Sequence, residues 1–157
     1  MSRQLSALPD LAYTIDFVAD RFDHTTELPE EYNAGNRFYG HDVAEFLTSQ
    51  LRSRGFSADY FDEDWGWMVS AKSMEKKFVE ICIYYWSWLD PREAPDGLWR
   101  LKLSVTQNKN WLGFFPRRVE VPAEESLLRH FRDIFARNGI QVRRFEQGFS
   151  WQKSWQD

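Results

Sequence analysis

Cysteine is nearly absent from this 157-residue chain. Cys82 stands alone, so no intramolecular disulfide can form, and a cysteine-rich zinc site is excluded. No apolar stretch approaches the ~18 residues of a membrane span, and Met1-Ser2-Arg3-Gln4 does not lead into a signal-peptide core. The expectation is a soluble, cytoplasmic protein with no membrane partner. His24, His41 and His130 share no metal-ligand spacing such as H-x-H or H-E-x-x-H. A G-x-S-x-G elbow, a phosphate-cradling glycine loop and a dinucleotide fingerprint are all missing. The basic pairs Lys76-Lys77 and Arg143-Arg144 are too short for a nucleic-acid surface. These absences argue against an enzyme: no catalytic residue, cofactor, metal or nucleic-acid partner is expected.

Aromatic residues, by contrast, are plentiful. Eight Trp, six Tyr and thirteen Phe sit in a chain that is 43% apolar and 28% charged, a globular balance. A chain of this length buries about 70% of its unfolded surface and needs no staple. We expect one domain over 1–157, with a core at about 12–147 and an aromatic tail at 148–157 carrying Phe149, Trp151 and Trp155. A tail with three large aromatics should dock, on its own chain or on a second copy, which leaves a homodimer open.

Charge is uneven along the chain. Residues 1–64 hold 13 acids against 5 bases (net −8), and residues 65–157 hold 11 against 15 (net +4). The acids are densest over Asp10 to Glu31 and again at Asp59, Asp62, Glu63 and Asp64. If clustered in space they would raise the association rate of a basic protein; dispersed, they only solvate a face.

Hydrophobic periodicity places the elements. Residues 12–19 alternate as a strand, with Tyr13, Ile15 and Phe17 on one side. Residues 20–40 read as a long loop packed by Tyr32, Phe38 and Tyr39. Residues 42–54 predict a helix with a Val43, Phe46, Leu47 and Leu51 stripe, a capping box from Asp42 to Glu45, and Gly55 as its stop. Strands follow at 56–61, 65–72, 77–86 and 98–107, the last with Trp99, Leu101, Leu103 and Val105 inward and Arg100, Lys102, Ser104 and Thr106 toward solvent. An extended piece at 111–121, a helix at 123–138 and a strand at 140–147 complete the chain. The fold class is α+β: one mainly antiparallel sheet with two helices packed on one face, in the order β-α-β-β-β-β-α-β.

Two stretches stand out as candidate sites. In Phe61 to Val69, Asp62, Glu63 and Asp64 fill a turn before Trp65-Gly66-Trp67, and alternation puts both tryptophans on one face. Acids beside aromatic anchors suit a basic partner. The same pattern also suits a polar turn ahead of two core tryptophans, or, with less support from the spacing, an oxygen-ligated cation. Trp111-Leu112-Gly113-Phe114-Phe115-Pro116 is either an exposed knob or a loop folded over the core. Cys82, mid-strand, reads as a buried, inert thiol. The candidate partner-binding residues are therefore Asp59, Asp62, Glu63, Asp64, Trp65, Trp111, Phe114 and Phe115. A rival reading is a small-molecule or enzymatic pocket between sheet and helices, using Tyr84, His41 or Glu80.

The run from Asn36 through Phe38-Tyr39-Gly40-His41-Asp42-Val43-Ala44-Glu45-Phe46-Leu47, then Asp62-Glu63-Asp64-Trp65-Gly66-Trp67, then the late helix and Gly139-Ile140 strand, resembles small bacterial immunity proteins. The resemblance covers roughly 33–146 and is in particular to type VI secretion immunity proteins paired with nuclease effectors. It implies a non-enzymatic chain that binds and neutralises a cognate antibacterial toxin. It carries no catalytic residues. An acidic first half suits a nuclease's basic surface, and the basic second half is a departure from that pattern.

Overall fold

The computed structural model describes residues 10–89, 94–111, 113 and 115–149. Strand β1 is Tyr13–Val18, helix α1 is His41–Ser53, and strands β2, β3 and β4 are Ser57–Glu63, Gly66–Lys72 and Lys77–Tyr85. A one-turn helix α2 (Trp86–Leu89) follows, then β5 (Leu98–Trp111), β6 (Phe115–Val121), α3 (Glu125–Arg137) and β7 (Gln141–Gln147). The strands form one antiparallel sheet in the order β2-β3-β4-β5-β1-β7, with β6 also paired to β5. The expected α+β architecture is observed, and the extended piece after β5 is a full strand.

The pairing of β5 shapes the sheet. One edge of this long strand pairs with β4 from Trp99 to Gln107. Its other edge is shared: Leu98–Leu103 pair with β1, and Val105–Trp111 pair with β6. The first strand of the chain therefore lies between the fifth and the last.

Register puts the apolar alternates on one face. Across the sheet, Trp67 lies opposite Ile83, which lies opposite Leu101, then Ile15 and Phe145. The neighbouring row runs from Val69 through Ile81 and Leu103 to Tyr13. Helix α1 lays Val43, Leu47 and Leu51 on this face and α3 lays Leu128, Phe131, Ile134 and Phe135, in one core with Phe17 and Trp99. The stripe of α1 is that read from the sequence, and burial of such stripes contributes more to helix stability than intrinsic propensity does.

The start of α1 differs from the capping-box expectation. Its N-cap is Gly40, with no side-chain cap, and Asp42 lies inside the first turn. The Asp42 carboxylate accepts the Asp23 N–H at 2.6 Å, so it ties down the preceding loop. Gly40 has φ +138, and a Cβ there would lie 3.0 Å from Trp67 Cδ1 and 3.2 Å from Ile83 Cγ2. Only glycine lets the helix start this close to the sheet.

The face away from the helices departs from the sequence reading. Arg100, expected to meet solvent, is buried beside the equally buried Asp16 (side-chain exposures 1% and 0%). Its Nε and Nη2 donate to the two Asp16 carboxylate oxygens at 2.7 and 2.8 Å. Arg144 Nε stands 3.5 Å from Asp16 Oδ2, and the Trp86 ring stacks on the Arg100 guanidinium at 3.9 Å. Trp86 belongs to α2 rather than to the strand expected at 77–86, and that helical turn brings an aromatic lid over the pair. Lys102, Ser104 and Thr106 on the same face are half-buried.

Candidate functional site

The β2–β3 hairpin turns at Asp64 and Trp65, and the long loop holds its tip. In the turn Tyr32–Gly35, Asn33 and Ala34 take left-handed conformations (φ +53 at each), which asparagine tolerates better than most residues. This aims the buried Asn33 side chain at the hairpin. Asn33 Nδ2 donates to Glu63 O at 3.0 Å and Gly66 O at 2.6 Å, and its backbone N–H donates to Asp62 Oδ2 at 3.2 Å. Asn33 Oδ1 accepts the Phe38 N–H at 2.7 Å, and Asn36 Nδ2 donates to Asp64 O at 2.8 Å. The acidic turn is therefore held in one shape before any partner arrives, which lowers the ordering cost of binding. Asn33→Ala removes two buried donors and one acceptor. We expect a stability loss of about 1–3 kcal/mol and faster amide exchange at residues 62–66, measured by hydrogen–deuterium exchange.

The expected site residues divide by position. Glu63 and Asp64 stand at the tip beside Trp65, whose ring packs 5.6 Å from Tyr84 on the open face. Trp65 stays 37% exposed, and Phe61, on the same face, 47%. Tyr84 also meets Phe149 at 6.0 Å, the chain having crossed from β7 after Gly148 bonds Ala12 O. Trp67 does not share a face with Trp65. It is buried under α1, with Nε1 donating to Phe38 O at 2.9 Å and His41 5.0 Å away. Strand alternation fails between the two because Trp65 lies in the turn, one residue before β3 begins.

Asp62 and Asp59 each make a contact within the chain while remaining exposed. Asp62 opposes Trp67 in register, so it faces the helix side, where it accepts the Asn33 N–H. Asp59 Oδ1 accepts from Arg52 Nη2 at 2.7 Å across the sheet edge. Trp111 and Phe115 form the last backbone pair of the β5–β6 hairpin; Phe114 and Leu112 lie outside the described residues. Trp65 sits level with Arg100 through Tyr84, and the hairpin end is eleven residues farther along β5 (100 to 111). At strand rise this is about 35 Å, so the two aromatic candidates occupy opposite ends of the sheet. The expectations for Trp151 and Trp155 also lie outside the described residues.

The rival pocket residues do not converge. Tyr84 and Glu80 stand on the open face, while His41 is wedged on the helix face among Tyr32, Tyr60 and Trp67. Burial, with Cys82 beside it, pushes the Tyr84 phenol far above its ordinary pKa, so it stays protonated. Burial likewise raises the half-buried Cys82 thiol, which keeps it from being a nucleophile at neutral pH. Among the described residues, no group of three or more His, Cys, Asp or Glu is placed to hold a metal ion. Among the same residues, no helix is long and apolar enough to cross a membrane.

Sequence reasoning missed Asn33 and Asn36. Their signal was present in Tyr32-Asn33-Ala34-Gly35-Asn36, a run rich in residues that accept left-handed backbone. What lay beyond it was the partner, a hairpin some thirty residues away. No protein-family model and no curated protein matches this chain.

Proposed function

We propose that this chain is a non-enzymatic, cytoplasmic immunity protein that binds and neutralises a cognate antibacterial toxin, a nuclease effector in the reading its motifs suggest. One observation carries the proposal: exposed Phe61 and Trp65 rings beside Glu63 and Asp64, on a tip hydrogen-bonded by Asn33 and Asn36. Aromatic anchors rimmed by charge are the anatomy of a protein interface. A nuclease presents a basic substrate-binding surface, which the acidic rim complements. The resemblance of residues 33–146 to immunity proteins points the same way.

The test begins with affinity capture from the source bacterium while its secretion system is active. The captured protein is then expressed alone and together with this chain. Toxicity that co-expression relieves, and that a Trp65→Ala chain relieves less well, supports the reading. A partner that harms no cell, or rescue unaffected by changes at Phe61, Glu63, Asp64 and Trp65, overturns it.

A further inference from the structure

We propose that a cleft beside the hairpin, between the 23–29 turn and the start of α1, receives the guanidinium or ammonium end of a basic side chain presented by the protein partner. This rests on the reading above that the partner's surface is basic. The cleft encloses about 350 Å³, at the small end of ligand-binding sites. Its lining includes the aromatic residues Tyr32, Phe38 and Tyr39, the acids Asp23, Glu27 and Asp42, and His41, with no lysine or arginine. Aromatic faces attract a cation through their quadrupole, and carboxylates pair with it directly.

The protonation states suit a cation. Burial would raise the Asp23 carboxyl, but the N–H groups of Thr26 and Thr25 outweigh it and hold the pKa below the usual value. Those bonds are 3.0 and 3.1 Å, both to Oδ1. The Tyr39 phenol is pushed up by burial and by the Asp23 charge, so it remains neutral and donates to Thr26 O at 2.9 Å. The N-terminus of α1 opens on the same space, yet the Asp42 carboxylate sits on it, accepting the Val43 N–H at 3.2 Å. An anion would therefore face carboxylates here.

The cleft and the hairpin tip share one end of the sheet. Tyr32 packs 5.4 Å from Trp67, and the next residue, Asn33, bonds the tip. Trp65 lies on the open face and the cleft on the helix face, so a partner that uses both wraps round the hairpin tip.

Amide shifts of the 15N-labelled chain, titrated with N-acetyl-arginine amide, test this without any toxin. The expected result is saturable shifts at Asp23, Thr26, Tyr39 and Asp42, absent with N-acetyl-glutamine amide at equal concentration. Glu27→Gln changes an exposed side chain with little risk to the fold, and should weaken the arginine probe about two- to fivefold. Tyr32→Ala should weaken it about fivefold, the contribution of one ring. Absence of saturation, equal response to the glutamine probe, or a Glu27→Gln chain indistinguishable from the parent overturns the inference. Because the probe is not the toxin, a silent cleft leaves the hairpin proposal to its own test.

Discussion

Asp16→Ala should cost about 3–5 kcal/mol of folding stability, the largest effect of any single polar substitution considered for this fold. Arg100 lies at 1% side-chain exposure, with both Asp16 oxygens as its bidentate partner. Arginine cannot shed its proton in a protein, so removal of the carboxylate leaves a full charge out of water beneath Trp86. Arg144, 3.5 Å from the same carboxylate, keeps Glu146 at 3.6 Å but then faces Arg100 as a like-charged neighbour with the shared carboxylate gone. Domains are stable by only about 5–15 kcal/mol, so the variant should unfold at a markedly lower urea midpoint. The double change Asp16→Leu with Arg100→Met should recover most of the loss, because removing both charges removes the desolvation penalty with them. A single-variant cost under about 1 kcal/mol, the value of an exposed pair, would show that the pair is open to water.

The second large effect is on binding, and its two arms separate anchor from steering. Trp65→Ala should lose about 2 kcal/mol or more of affinity for the captured toxin, near 30-fold, mainly as faster dissociation. Its ring is exposed enough to be reached and is braced by Tyr84. The pair Glu63→Lys and Asp64→Lys should slow association about tenfold at low salt, the gap narrowing as salt screens the tip. Asp62 is left intact because its carboxylate accepts the Asn33 N–H, and reversing it would disturb the shape of the turn. Surface plasmon resonance at two salt concentrations reads both rates. Unchanged rates in both variants would remove the hairpin as the docking site.

These two sites show what could be read in advance and what could not. The helices were legible because Val43, Leu47 and Leu51, and Leu128, Phe131 and Ile134, repeat at helical spacing, and Gly55 and Gly139 end each in a left-handed conformation. The strands were legible by alternation. Pairing was not: nothing local in Ile15 announces Leu101 on one side and Phe145 on the other. Arg100 was misread for the same reason. A charge on alternate strand positions looks solvent-facing until a distant Asp16 and the helical turn carrying Trp86 close over it. At the candidate site, Glu63, Asp64 and Trp65 lie together at the hairpin tip, as their order in the sequence requires, whereas the contacts of Asp59 with Arg52 and of Asp62 with Asn33 could not be read locally.

The position of β1 between β5 and β7 also bears on how the chain comes together as it is made. Ile15 waits for Leu101, 86 residues later in the sequence (15 to 101), and then for Phe145. At ribosomal rates of about 5–20 residues per second, that separation amounts to about 4–17 s. Meanwhile the β2-β3-β4 meander, whose pairings are all local, has everything it needs to assemble on α1. The nascent protein should therefore pass through a half-built sheet with the β4 edge bare and an apolar strand unpartnered behind it. That interval, rather than the finished fold, is where a holding chaperone would have most to do.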